Sequence, residues 1–345
     1  MDATTDDDLD TFVKSRSVAE LIASRLDPVD PWRLALVQRH LVWDEVRIAH
    51  LLDSLLAGYP IGSLLVCRVR QGGHVLREHD GTRRAELAGA GTWQLLDGQQ
   101  RVNALVSIFS EHGKFGRFYL HMLRERVPED VITRRRDKRR ALDYIAWRSD
   151  DVGAAEPPDP RQHYIDLSRM QAWAGGRTRE EILATARDVA QDAAHAVVLL
   201  NQIDDAFADD LSPAEATTAA SRTAALLRAW AEPSVPVQHF TVDAPTDVLQ
   251  VFARINLAGV RLDGEDVFFA AVKTEWPDAE EHLDRVAAAS PLLNRMTALR
   301  LLARLASRAQ SRDDLLPLRV DRLNGPKGRQ LVQSMERLAA DDSPV

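Results

Sequence analysis

One cysteine in 345 residues, Cys67, excludes a disulfide framework and any zinc site built on paired cysteines. It fits a reducing compartment. The start, MDATTDDDLD, is acidic and has no apolar core, so it does not read as a secretory signal. No apolar run approaches the roughly 20 residues that span a bilayer, so no membrane partner is expected and the chain reads as cytoplasmic. Positive charge is in deficit: 44 basic against 52 acidic residues give a net charge of −8. That excludes a uniformly basic nucleic-acid coat and leaves only a local basic groove. Common catalytic signatures are missing too. There is no G-x-x-x-x-G-K-[ST], no G-x-G-x-x-G, no G-x-S-x-G and no H-E-x-x-H. The ten histidines show no spacing that favours zinc.

What is present suffices for a sizeable core: 45% hydrophobic and 28% charged residues. At about 150 residues per domain, the length suits one large or two ordinary domains. Residues 1–14 read as an acidic disordered tail. Apolar spacing predicts a helix over Val18–Leu26, stopped by Pro28 and Pro31. A second helix runs from an Asp44 cap through Ile48, Leu52 and Leu55 to a stop at Gly58. Tyr59-Pro60-Ile61-Gly62 then turns into an apolar strand over 63–69. A polar hairpin or loop is expected over 74–91, and another strand over 115–120.

The stretch 149–160, SDDVGAAEPPDP, is acidic and proline-rich, a boundary or exposed loop. Beyond it the pattern is mostly helical. Thr178 with Glu181 opens an alanine-rich helix expected to reach about Leu200, and Ser212-Pro213 with Glu215 opens another, ending near Trp230. A strand is predicted over Val235–Val242, then helices over 246–257, 264–275 and 279–289. Trp43, Trp93, Trp147, Trp173, Trp230 and Trp276 read as core or staple residues. Cys67 reads as an inert strand residue.

The most informative stretch is Leu95-Leu96-Asp97-Gly98-Gln99-Gln100-Arg101. It places a carboxylate at a strand end, a glycine in the turn, and two amides and a guanidinium on the first turn of a helix over Gln99–Phe109. Exposed N–H groups and the helix dipole favour a phosphate there. Arg101 can grip phosphate oxygens in pairs, and Asp97 can hold Mg²⁺ or orient water. Equally, Asp97 reads as a simple helix cap ahead of a solvated first turn. Six of the eight residues Thr133 to Arg140 are cationic: Arg134, Arg135, Arg136, Lys138, Arg139 and Arg140. They would contact nucleic-acid phosphates, with Arg117, Arg124 and Arg126 extending the patch, or form a solvated face.

Taken together, separated segments resemble the N-terminal domain family of GmrSD-type restriction systems, whose hallmark is the D-G-Q-Q-R motif. Val37-Gln38-Arg39-His40-Leu41-Val42-Trp43-Asp44 is similar to the family's Y-Q-R-x-Y-x-W-D, with Val37 and Leu41 replacing the two tyrosines. The segment Tyr59 to Leu65 is similar to Y-P-I-G-S-[IL]-L. Phe252 to Leu262 is similar to F-x-R-I-N-x-x-G-x-x-L. After the hallmark this chain has Val102-Asn103-Ala104-Leu105 in place of the usual L-T-T-L.

The resemblance implies an α+β protein. A ParB/sulfiredoxin-like nucleotide-binding domain would span 15–150, a helical region 151–275 would return the F-x-R-I-N segment to it, and a helical region would span 276–345. It implies an NTP-binding, NTP-hydrolysing subunit (GTP or another NTP, with Mg²⁺) of an anti-phage or modification-dependent restriction system. Asp97, Gln100 and Arg101 would act on the nucleotide, and Gln38, Arg39, Gly98, Gln99, Arg254 and Asn256 would bind it. The bland alternative for Asn256 and Gly259 is a helix end, with Arg254 in an ion pair. Many members continue into an HNH-type nuclease with an H-x-x-P motif, absent here. Cleavage is therefore expected from a separate nuclease or restriction/modification subunit, with DNA as a further partner and homo-oligomers open. An alternative of another class is a non-catalytic DNA-binding adaptor that recruits a nuclease.

Overall fold

In the computed structural model, the residues described are 11–35, 43–70, 76–77, 91–111, 116–124, 142–148, 163–208, 210–243, 247–248, 251, 268–269, 271–273, 276, 278–288, 293–306 and 325–340. The protein is α+β with a helical C-terminal half. By internal contacts it divides into two compact units. The first is built from Met1–Trp32, Leu41–Val66 and Asp97–Phe240, the second from Arg33–His40, Cys67–Leu96 and Thr241–Val345. Among the described residues the larger sheet consists of β1 (Thr11–Arg16), β2 (Arg33–Ala35), β3 (Leu64–Val69), β4 (Leu76–Arg77), β5 (Trp93–Asp97) and β9 (Val235–Val242). Their order is β1-β9-β3-β5-β2-β4.

In the first unit, β1 runs antiparallel to β9, with Thr11 opposite Phe240 and Arg16 opposite Val235. Residues 11–14, expected to belong to the acidic tail, are therefore strand. Phe12 stacks on His239 at 4.4 Å across this pair. A second antiparallel sheet places β6 (Arg117–His121) between β7 (Ile145–Arg148) and β8 (Tyr164–Asp166). The expected strand over 115–120 corresponds to β6, which starts after Gly116 at φ +81°.

Three helices follow the predicted bounds closely. Helix α1 (Val18–Leu26) starts with a reciprocal cap, Glu20 N–H on Ser17 Oγ at 3.2 Å and Ser17 N–H on Glu20 Oε2 at 2.7 Å. In α2 (Glu45–Leu56), Asp44 caps by accepting from Arg47 N–H, and Ile48, Leu51, Leu52 and Leu55 are buried on one face. Helix α3 (Gln99–Phe109) is buried along most of its length, and Phe109 meets Trp230 edge-on at 5.4 Å.

The alanine-rich stretch departs from expectation. The single helix expected to run on to about Leu200 is instead two, Arg179–Gln191 and Ala193–Ile203. The chain breaks at Asp192, which is extended and whose carboxylate accepts from the N–H groups of Ala194 and His195. A helix interior offers an Asp carboxylate no such donors, so the residue stops one helix and starts the next. The helix Pro213–Ala231 follows, opened by Ser212 and Glu215 as expected.

In the second unit, β2 lies parallel to β5, with Leu34 opposite Leu95, and antiparallel to β4. Three helices, Ala279–Ala288, Arg295–Ala306 and Gly325–Ala340, surround a core of Phe268, Val272, Trp276, Leu283, Leu299, Val332 and Met335. The expected helices over 246–257 and 264–275 lie largely outside the described residues. No described helix is long and apolar enough to cross a membrane.

Candidate functional site

The D-G-Q-Q-R residues sit where β5 hands over to α3. Leu95 and Leu96 are buried and fix the strand, while Asp97 emerges exposed at its end. Gly98 then takes φ +93°, a left-handed conformation that suits glycine, and serves as the N-cap of α3. Glycine has no side chain with which to cap. Asp97 Oδ1 instead accepts the Gly98 N–H at 2.7 Å, and Asp97 Oδ2 accepts from Arg101 Nη2 at 3.3 Å. The carboxylate thus spans the start of the helix from strand end to first turn.

Arg101 is held from the other side as well. Its Nη1 donates to the Ile61 carbonyl at 3.0 Å. Gly62, at φ +85°, makes room for that arm, since a Cβ there would stand 2.5 Å from Nη1. Leu64 packs beneath Gly98, with no space for a Cβ between them. The P-I-G-S-L segment therefore forms the floor of the D-G-Q-Q-R turn.

A third segment joins through Gln100, whose Oε1 accepts the Trp43 N–H at 3.3 Å. Trp43 immediately precedes the Asp44 cap, so the N-termini of α2 and α3 are neighbours. Two positive helix ends then share one locality, which favours an anion there. Gln99 is buried at the same turn. One turn on, buried Asn103 accepts from Arg25 Nε at 3.3 Å, and fully buried Arg25 also donates to the Trp32 carbonyl.

Asp97, Gly98, Gln99, Gln100 and Arg101 are thus tied to two of the other predicted segments. Gln38 and Arg39 lie outside the described residues, as do Arg254 and Asn256. The whole basic run, Arg134, Arg135, Arg136, Lys138, Arg139 and Arg140, lies outside them too. Of its suggested extensions, Arg117 is paired with Asp166 at 3.2 Å and Arg124 donates to the Asp143 carbonyl at 2.8 Å. Arg126 is outside the described residues. The Ile61 carbonyl and the Trp43 N–H have no signature of their own in the sequence. Both are main-chain groups, and only Gly62 beside Ile61 hints at a close approach.

Among the described residues, no group of three or more His, Cys, Asp or Glu could hold a metal ion. The described residues therefore build no protein-only metal cage around Asp97. The donor that the described residues offer there, one partly exposed carboxylate, is what Mg²⁺ takes when phosphates and waters supply its remaining ligands.

No curated protein matches the chain. The family described as GmrSD restriction endonuclease, N-terminal domain, matches residues 18–273, a span that contains the whole D-G-Q-Q-R turn and both segments that brace it. The chain belongs to the GmrSD restriction endonuclease N-terminal domain family.

Proposed function

We propose that this chain is the nucleotide-handling component of a restriction system directed at foreign or modified DNA, binding and hydrolysing a nucleoside triphosphate at the Asp97–Arg101 turn. One observation carries the reading. The Gly98 N–H and the Arg101 guanidinium converge on a single carboxylate at the start of α3, so the donors that grip an anion are already gathered in one anion-sized place. Family membership supports the restriction-system context. A ParB/sulfiredoxin-like fold for the region 15–150 belongs to the same proposal.

In this reading Arg101 binds phosphate oxygens and offsets charge that develops during phosphoryl transfer. The α3 N-terminus contributes its dipole, and Gln99 and Gln100 border the seat. Gln38, Arg39, Arg254 and Asn256 would complete it. Mg²⁺ arriving with GTP or another NTP would neutralise phosphate charge, and Asp97 would be its protein ligand. Hydrolysis would be coupled to DNA and to a nuclease partner.

The test is hydrolysis of each of the four NTPs, with and without DNA. The wild-type chain is expected to turn over at least one, with Asp97→Ala and Arg101→Ala losing most of that activity while keeping the wild-type circular dichroism. Equal turnover by both variants would refute the site.

A second reading draws on the same contacts. Arg101, Gln100 and Asp97 all have intramolecular partners, as the hub of a purely structural joint would. The chain would then be a DNA-binding adaptor. Steeply salt-dependent DNA affinity, lost on neutralising Arg134, Arg135 and Arg136 and indifferent to NTP, would favour it.

A further inference from the structure

Resting on the nucleotide reading, we infer that Asp97 is a built-in competitor for the phosphate seat, so that the nucleotide must displace a carboxylate the chain itself supplies. Each Asp97 oxygen takes one of the donors a phosphate would use: Oδ1 the Gly98 N–H at 2.7 Å, Oδ2 the Arg101 Nη2 at 3.3 Å. With Asp97 in this position, the seat is filled by an anion of the wrong kind.

The two partners are held unequally. Arg101 has a second anchor, the Ile61 carbonyl at 3.0 Å, and only 17% of its side chain is exposed. Asp97 has 55% of its side chain exposed, and among the described residues its hydrogen bonds are these two. When the pair opens, the carboxylate turns to water while the guanidinium stays in place. An exposed pair of this kind is weak, contributing at most about five-fold to an equilibrium. The contact therefore regulates occupancy without blocking it.

Charge sets the consequence. A bare triphosphate must take Arg101 from Asp97 and then meets the negative carboxylate beside it. A triphosphate carrying Mg²⁺ brings positive charge that the displaced carboxylate can accept. Asp97 thereby makes the site prefer metal-loaded nucleotide over free polyphosphate.

The experiment compares binding of GTP, and of inorganic tripolyphosphate, in EDTA and in Mg²⁺ by calorimetry. It uses the wild-type chain, Asp97→Asn, Asp97→Ser, and Asp97→Asn combined with Arg101→Gln. Asp97→Asn keeps the shape and an acceptor for Gly98 but removes the charge. It is expected to bind metal-free tripolyphosphate about five-fold more tightly than wild type, and Asp97→Ser similarly if the asparagine variant folds poorly. Adding Arg101→Gln is expected to abolish the gain. Metal-free affinity that is unchanged or lower in both Asp97 variants would overturn the inference, and the nucleotide reading would survive if the wild-type chain still bound Mg²⁺-GTP or another Mg²⁺-NTP. If no chain bound any NTP or tripolyphosphate, in either buffer, the nucleotide reading would fall and the inference with it.

Discussion

Gly98 stands directly on a methyl group of Leu64, in a left-handed conformation with φ +93°. Two independent penalties therefore meet any side chain at this position. The backbone would have to hold an L-residue where it is strained, and the new Cβ would drive into a buried leucine. Gly98→Ala is expected to lower unfolding stability by about 3 kcal/mol, the strain and the overpacking each supplying about half. Combining it with Leu64→Ala should cost less than the sum of the two single changes, because the second removes the clash and leaves only the strain. Urea unfolding of the four chains measures this. A loss at Gly98→Ala within experimental error of zero would show that the turn relaxes.

Asp192 marks the other place where one side chain decides the local course of the backbone. Its carboxylate accepts from Ala194 N–H at 3.0 Å and His195 N–H at 3.3 Å, capping the second of two consecutive helices. Asp192→Ala removes the cap and is expected to cost about 1 kcal/mol. Asp192→Asn, which keeps the acceptor, should cost only a few tenths. Equal losses in the two variants would assign the break at residue 192 to packing alone.

These two positions also show why some features were legible in the sequence. Gly98 follows a buried strand and precedes an apolar periodic stretch, and D-G is a turn signal on its own. The helices at Val18–Leu26 and Pro213–Ala231 carry capping boxes or apolar periodicity within a few residues. Asp192 carries no such contrast, because alanine-rich, helix-favouring sequence lies on both sides of it. Strand β1 is not legible in the sequence for another reason. Most of its residues are exposed, so no apolar alternation marks it, and its partner β9 lies more than 200 residues away. At the site, the residues of the D-G-Q-Q-R turn were recognisable, but their bracing was not. Arg101 to Ile61 and Gln100 to Trp43 are side chain to main chain contacts; any residue type could supply the carbonyl, and any but proline the N–H.

Cys67 is fully buried in β3, and burial pushes its thiol well above the ordinary range. The thiolate is the reactive form, so the native protein should resist thiol reagents. At neutral pH, a disulfide-exchange reagent such as DTNB is expected to release almost no colour from the folded chain and one equivalent after unfolding in guanidinium. Rapid stoichiometric reaction without denaturant would mean that β3 opens readily.

His121 gives the fold a pH dependence whose direction follows from its contacts. Its Nδ1 accepts from the N–H groups of Leu123 at 3.1 Å and Arg124 at 3.2 Å, which requires a neutral ring. Burial, with smaller contributions from the charges of Arg124, His163 and Arg222, pushes it down from 6.5 to about 4. Between those two values the unfolded chain binds a proton that the folded chain refuses. Stability from this group is therefore complete above about pH 6.5, falls as the pH drops towards 4, and levels off below that. The size expected is roughly 2 kcal/mol. His121→Gln removes the titration, so the stability difference between wild type and variant should shrink by about that amount from pH 7 to pH 4. Urea unfolding across that range tests it. A difference that stayed constant with pH would mean that the ring titrates alike in both states, and that the two backbone N–H donors do not hold it neutral.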